Sequence, residues 1–370
     1  MQMPELTLKN ITIDGYKSIR HMSLELRPLN VLIGANGAGK SNLLSFFKLL
    51  SEMRRGRLEK FVGQSGGANS LLFYGAKTTR QFGAVLELKT PVERSEYAFQ
   101  LAFSAGDKLT FGEEKLHFED LILEDGPQTK DFGGGHFESK LADAVEPGIR
   151  GVDTFQRGLR YCGPFQFHDT SDSATVRLYS PVANDRPLRN DAGNLAAVLN
   201  RLRRTNCYKR IVGTIRQIAP WFDDFVLQTQ PESGRILLKW RDRHDDIVFD
   251  ASSLSDGTLR AIALITLLQQ PEEELPALVV IDEPELGLHP SAIVVLGALL
   301  KKASYHCQVI VATQSTFLLD QFEAEDVVVV DREGPESKFR RLDSAQLDEW
   351  LAEYCLSELW EKNVLGGGPA

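Results

Sequence analysis

Long apolar runs are missing from this sequence. None reaches the roughly 20 residues that a membrane-spanning helix needs, and the opening MQMPELTLKN lacks the apolar core of a secretion signal. Any work at a membrane would go through a partner. Cysteine is scarce. Cys162, Cys207, Cys307 and Cys355 are scattered without a C-x-x-C pair, which argues against a zinc site or a disulfide framework and fits a reducing cytoplasm. Basic charge is not in excess: 42 Lys and Arg face 51 Asp and Glu, a formal net charge of -9. The chain as a whole is therefore not built to coat nucleic acid, although a local basic groove stays compatible with it. No internal repeat is visible.

What is present reads as an ordinary globular chain. At 370 residues and 42% hydrophobic content it can bury one large core or two lobes. LTLKNITI alternates like a half-buried strand, and the run VLIG enters a Gly-rich loop followed by SNLLSFFKLLSEM at helical spacing. From about 61 to 167, short alternating segments such as FGAVLELKT predict an antiparallel, β-rich part of a first lobe. Leu195, Val198, Leu199 and Leu202 share one helical face, and Ile211, Val212 and Ile215 start a second after a break near Thr205. A strand pair (FVLQTQ, RILLKW) follows, then a helix after SSLSDGT. The strand ALVVID, a helix after His289–Pro290, and the strand QVIVAT come next. DVVVVD and KFRRLD predict a short strand pair before a helical tail, and the end GGGPA is expected to fray.

Three stretches carry chemistry. GANGAGKS, Gly34 to Ser41, fits the phosphate-loop pattern G-x-x-x-x-G-K-[ST] and sits between an apolar strand and an amphipathic helix. Successive N–H groups of Asn36, Gly37, Ala38, Gly39, Lys40, Ser41 and Asn42 would cradle phosphates. Lys40 would reach the β/γ-phosphates of ATP, and the Ser41 hydroxyl would ligate Mg²⁺. VVIDEP ends a buried strand on two carboxylates. Neighbouring strand residues point to opposite faces, so Asp282 and Glu283 need different jobs: Asp282 in the Mg²⁺ shell, Glu283 polarising the attacking water. SSLSDGTLR places Ser255, Asp256 and Gly257 at a helix start, where free N–H groups suit an anion.

The order of phosphate loop, S-x-G loop and D-E strand resembles the ATP-binding cassette ATPases. ITIDGYKSIRHMSLELRPLNVLIGANGAGKSNLL, LSDGTLRAIALITLL, VVIDEPELGLHPSAI and VIVATQS resemble their RecF/SMC-like branch, in particular stand-alone ATPases related to the ATPase parts of OLD-family nucleases and of anti-phage systems. The resemblance covers most of the chain and leaves about 60 to 160 unspecific. It implies a two-lobed α/β cassette-type P-loop head over residues 1–370. Residues 1–60 and 251–335 would form the nucleotide core, 61–185 the β-rich part, 186–250 a helical and strand segment, and 336–370 a tail. Residues 190 to 250 sustain no heptads, so no long coiled coil is expected.

The resemblance also implies site roles. Ser255, Asp256 and Gly257 would cap the ATP of a second subunit, in a head-to-tail homodimer around two ATP molecules. ELGLHP would be the D-loop at that interface. Gln314 stands where cassette ATPases often carry His; it can hydrogen-bond the γ-phosphate or water but carries no charge, so slow turnover is expected. Gln166 would be the Q-loop residue on Mg²⁺, with His168 as competitor. Lys17 and Ser18 are further candidates to approach the nucleotide.

Other charges read as solvated surface. Arg201, Arg203, Arg204, Lys209 and Arg210 avoid the apolar helical face, and Arg54, Arg55 and Arg57 follow the phosphate-loop helix; contact with nucleic acid is the alternative. Asp326, Asp331 and Glu333 read as a solvated hairpin rather than a metal cluster. The stretch after Gln314 is shorter than the roughly 100 residues of a typical domain, so any nuclease effector is expected to be separately encoded. The function implied is an ATPase that regulates such an effector in anti-phage defence. The alternative is a RecF-like DNA-binding ATPase in recombination or repair; a transporter subunit fits the long phosphate-loop-to-signature spacing poorly.

Overall fold

The computed structural model of the chain describes residues 6–122, 126–143 and 150–368. The alternating start forms β1 (Thr7–Tyr16), which buries Ile11 and Ile13 and turns at Lys17 into antiparallel β2 (Ile19–Glu25). The continuous apolar run forms β3 (Leu29–Ile33), buried along its whole length, as a strand covered on both faces must be. It feeds α1 (Lys40–Arg54), the longest helix among the described residues at 15 residues, and then α2 (Leu58–Gln64). No long coiled coil is present among the described residues.

The β-rich stretch supplies β4 (Gln81–Lys89), β5 (Glu93–Ser104), β6 (Lys108–Asp120) and β7 (Gln128–Asp131). They join β1 and β2 in an antiparallel six-stranded sheet of order β2-β1-β4-β5-β6-β7. α3 (Lys140–Asp143) and α4 (Arg150–Gly158) follow, and α4 covers β5 and β6.

The next segment departs from the expected single strand pair. After β8 (Ser180–Pro181), α5 (Leu195–Leu202) and α6 (Asn206–Ile218) come β9 (Phe222–Phe225), β10 (Thr229–Gln230), β11 (Arg235–Ile236), β12 (Lys239–Asp242) and β13 (Val248–Asp250). They divide into two three-stranded sheets, β10-β11-β8 and β13-β12-β9. Aromatic packing decides the split. Trp240 on β12 lies 4.8 Å from both Trp221 and Phe249, drawing RILLKW away from its hairpin partner toward β9.

The rest of the chain alternates helix and strand: α7 (Asp256–Gln269), β14 (Leu278–Asp282), α8 (Pro290–Ala303), β15 (Gln308–Ala312), α9 (Thr316–Leu319), β16 (Val327–Glu333), β17 (Glu336–Arg341), α10 (Ser344–Leu351) and α11 (Leu356–Glu361). The central sheet has the order β14-β15-β3-β16-β17, parallel except for β17. Side-chain alternation makes it a divider between two cores. Val31, Val279, Val309 and Val327 face α5–α8, whereas Leu32, Val280, Ile310 and Val328 face α1 and the antiparallel sheet.

The expected strand pair DVVVVD and KFRRLD forms as β16 and β17, and its register, pairing Val330 with Phe339, joins β17 to the central sheet although residues 336–370 read as a tail. The glycines expected to fray are docked: Leu365 is buried and Gly367 N–H donates to Asp331 Oδ1 at 2.6 Å. Pro369 and Ala370 lie outside the described residues.

Candidate active site

The phosphate loop leaves β3 and is closed by its own lysine: Lys40 Nζ donates to the carbonyls of Gly34 and Ala35. Asn36, Gly37 and Ser41 are exposed at the loop, while Ala38, Gly39 and Lys40 are buried. A hydroxyl chain supports the loop from behind. Ser337 on β17 donates to the Ala38 carbonyl, Ser18 Oγ lies 2.7 Å from Ser337 Oγ, and Asn42 Nδ2 donates to Ser18 Oγ at 2.6 Å. Ser18 and Asn42 thus brace the loop. Lys17 turns to Ser45 on α1, at 2.7 Å.

This bracing explains Gly39. Its φ is +123°, and a Cβ there would sit 2.1 Å from Ser337 Oγ. Gly39→Ala is expected to abolish ATP binding and to destabilise the fold by about 1–3 kcal/mol. Nucleotide titration and thermal unfolding would check both; a variant that binds ATP normally would refute the assignment.

Three carboxylates surround Lys40. Burial lowers its pKa, and Glu283, Asp282 and Glu285 push it back up. Asp282 closes β14. Burial and Glu283 raise its carboxyl pKa, while His168, Lys40 and a hydrogen bond from Gln166 lower it. Glu283 does not continue the strand's alternation: it takes a φ of +42° and donates its N–H to the Ala312 carbonyl at 2.8 Å. A left-handed Glu costs roughly 1–3 kcal/mol, and such strain concentrates at functional sites. The turn brings Glu283 Oε1 within 2.8 Å of Gln314 Nε2, at the end of the neighbouring β15.

The Q-loop candidate reaches the same place by a pairing that no local pattern reveals. Phe165 N–H donates to the Val280 carbonyl at 2.7 Å, so the segment lies along β14 and carries Gln166 to Asp282. His168 also lies close enough to act on Asp282, and its carbonyl accepts from Arg260. Gln166 bonds to Asp282, and with the Ser41 hydroxyl of the phosphate loop they would offer an all-oxygen donor set with one carboxylate. That set fits Mg²⁺, which keeps waters and shares phosphate oxygens, and a cation there would relieve the raised Asp282 carboxyl.

The signature loop has different partners. Ser255 caps α7, with Oγ accepting from Thr258 N–H at 3.2 Å, and Asp256 pairs with Arg177 at 3.1 Å. Ser255 and Asp256 are exposed. Gly257 presses on the turn that holds Gly287, where a Cβ would meet the Gly287 carbonyl at 2.0 Å. Arg260, absent from the sequence reading, donates to the carbonyls of Phe167, His168 and Leu286, tying α7 to the loop after Phe165 and to the turn after β14. Its only sequence signal is a cation one turn inside the signature helix.

The basic candidates separate. Arg201 is not on a solvated face: it forks onto Glu274 at 2.8 and 2.5 Å and is half-buried. Arg203, Arg204, Lys209 and Arg210 are exposed. Arg54 donates to the Gln156 carbonyl, and Arg55 and Arg57 pair with Glu52. Asp331 and Glu333 lie in the β16–β17 hairpin, and no metal-binding cluster of acidic, His or Cys side chains occurs among the described residues. No helix among them is long and apolar enough to cross a membrane.

A phosphate loop and an acidic strand end, separated by one strand that carries a polar switch residue, define a P-loop ATPase domain with a mixed α/β head. The chain belongs to the family described as "AAA domain, putative AbiEii toxin, Type IV TA system", matched over residues 29–320; this family implies ATP binding. It is 24% identical over 348 residues to an OLD nuclease of Thermus scotoductus, covering 88% of this chain, and 25% identical over 386 residues to the Old nuclease of Escherichia phage P2, covering 92%. The chain spans 62% of the length of each of these relatives. Among solved structures it resembles the Smc head domain derived from Pyrococcus furiosus, bound to the C-terminal domain of ScpA, with a TM-score of 0.61 at 12% identity over 94% of this chain and 99% of that one. The Smc head derived from Pyrococcus yayanosii gives 0.57 at 10% identity over the same shares. These two likenesses concern the fold alone.

Proposed function

We propose that the chain hydrolyses ATP as a head-to-tail homodimer and that its nucleotide state regulates an effector outside this sequence, a nuclease in anti-phage defence. The observation that carries the enzymatic part is the Glu283–Gln314 contact beside Lys40, at the ends of neighbouring strands. Lys40 would exchange its loop carbonyls for the β/γ-phosphates. Glu283 would accept a proton from the attacking water, oriented by the Gln314 amide. Bound Mg²⁺, held by Ser41, Asp282 and Gln166, would neutralise phosphate charge. Ser255, exposed on a capped helix start, and Gly257 beside it would donate to the γ-phosphate of the partner's ATP. The regulatory part is supported by the relation to OLD nucleases and AbiEii-type proteins. The DNA-binding alternative is weakened, since Arg201 is committed to Glu274.

Phosphate release by the purified chain tests this directly. Turnover is expected below the roughly 10 s⁻¹ of a median enzyme, because Gln314 carries no charge, and Lys40→Ala should remove it. Wild-type release no greater than that of Lys40→Ala would sink the ATPase reading. Failure of any second protein to copurify from the native cells, with or without ATP, would sink the effector reading.

A further inference from the structure

Glu285 stands two residues beyond Glu283, in the turn after β14; it opens the ELGLHP stretch read as the D-loop, but the ATPase reading gives its carboxyl no task of its own. Its Oε1 accepts the Thr313 hydroxyl at 2.6 Å and, more weakly, the Gln314 N–H at 3.4 Å. Thr313 is fully buried, and its Oγ1 in turn accepts the Ser315 N–H at 3.0 Å. The turn that carries Gln314 is thus held from both sides by one short segment. Glu285 grips its backbone, and Glu283 receives its side-chain amide.

The other oxygen of Glu285 is buried and has no hydrogen-bond partner among the described residues. A buried carboxylate with an unused oxygen is costly. Burial accordingly raises its pKa, and the hydrogen bond from Thr313 opposes this. What the turn needs from Glu285 is the Oε1 acceptor, which reaches both the Thr313 hydroxyl and the Gln314 N–H, and so fixes the residue whose amide meets Glu283.

We propose that Glu285 is a positioning residue: it fixes the Thr313–Ser315 turn so that the Gln314 amide meets Glu283. It acts through Gln314 and touches neither water nor phosphate. The proposal rests on the ATPase reading above for its catalytic consequence.

Its test is a double-mutant cycle combined with amide exchange in the full chain. Glu285→Ala should lower kcat by about 10–100-fold, as misplacement of a reacting group by an ångström does, with KM for ATP changed less than ~3-fold. Thr313→Val removes that bond together with the acceptor of the Ser315 N–H and should lower kcat at least as much. Glu285→Gln keeps the Oε1 acceptor and should recover most of the loss. In a Gln314→Ala background, Glu285→Ala should cost nothing further, since the group it positions is gone. Without nucleotide, the Gln314 and Ser315 amides should exchange faster in Glu285→Ala than in wild type or Glu285→Gln. Additive losses in the cycle, a KM rise as large as the kcat loss, or unchanged exchange at Gln314 and Ser315 would each overturn the proposal. If the wild type binds ATP without hydrolysing it, the ATPase reading fails, and the exchange comparison alone judges whether Glu285 holds the turn.

Discussion

Glu283→Gln is expected to lower phosphate release by roughly 10²–10⁴-fold, the range a positioned general base supplies, while ATP stays bound. The change is nearly isosteric. A Gln at 283 still offers an oxygen to Gln314 Nε2, so the contact observed at 2.8 Å can persist. What disappears is the acceptor for the water's proton, together with one of three negative charges around Lys40. ATP binding should therefore hold or tighten. If ATP closes the dimer, the trapped state accumulates, and the native mass of the variant should double with Mg-ATP. Purified from its own cells, the same variant should also retain the effector as additional mass. A monomer with ATP demonstrably bound would show that the signature loop does not cap a partner's nucleotide.

The second large effect is a complementation. Lys40→Ala removes the phosphate-loop lysine, and Ser255→Arg fills the exposed signature with a bulky cation. Each variant alone should lose turnover about 10²-fold or more. Their mixture should recover to about a quarter of wild type. Half of the dimers are then mixed by chance, and each holds one site with Lys40 from one chain and Ser255 from the other. The geometry motivates this. Within one chain, Ser255 and Asp256 bond to Thr258 and Arg177, whereas Lys40 bonds to Gly34 and Ala35. No recovery on mixing, with both chains folded and able to associate, would place the whole site in one chain. Ser255 would then be a helix cap and nothing more.

Some residues of the site were legible and others were not, for a physical reason. Lys40 and Ser41 follow a strand and open a helix, so a contiguous stretch specifies them. Asp282 and Glu283 end an apolar run, which marks a buried strand emerging at an edge. Ser337 carries no such mark. It lies in an alternating strand of mixed polarity, and its bond to the Ala38 carbonyl spans 299 positions. Glu285 was legible only as the first residue of the ELGLHP stretch, with nothing local to pair it with Thr313. Arg201 looked like surface, because helical spacing says which face avoids the core but not which acid waits on the neighbouring segment. The split of RILLKW was hidden for the same reason: Trp240 chose its partners by ring packing between strands.

Local pattern was enough for the phosphate loop, the acidic strand end, the helix start capped by Ser255 and, among the described residues, the absence of a long coiled coil, since each depends on spacing within a few turns of chain. Tertiary structure alone decided that Gln314 meets Glu283 across 31 positions, that Gln166 reaches Asp282, that β17 backs the phosphate loop and that Arg260 joins α7 to two loops. Those contacts depend on the order and register of the strands in the central sheet. Register is settled by which faces both cores can bury at once, and that is a property of the whole chain rather than of any stretch within it.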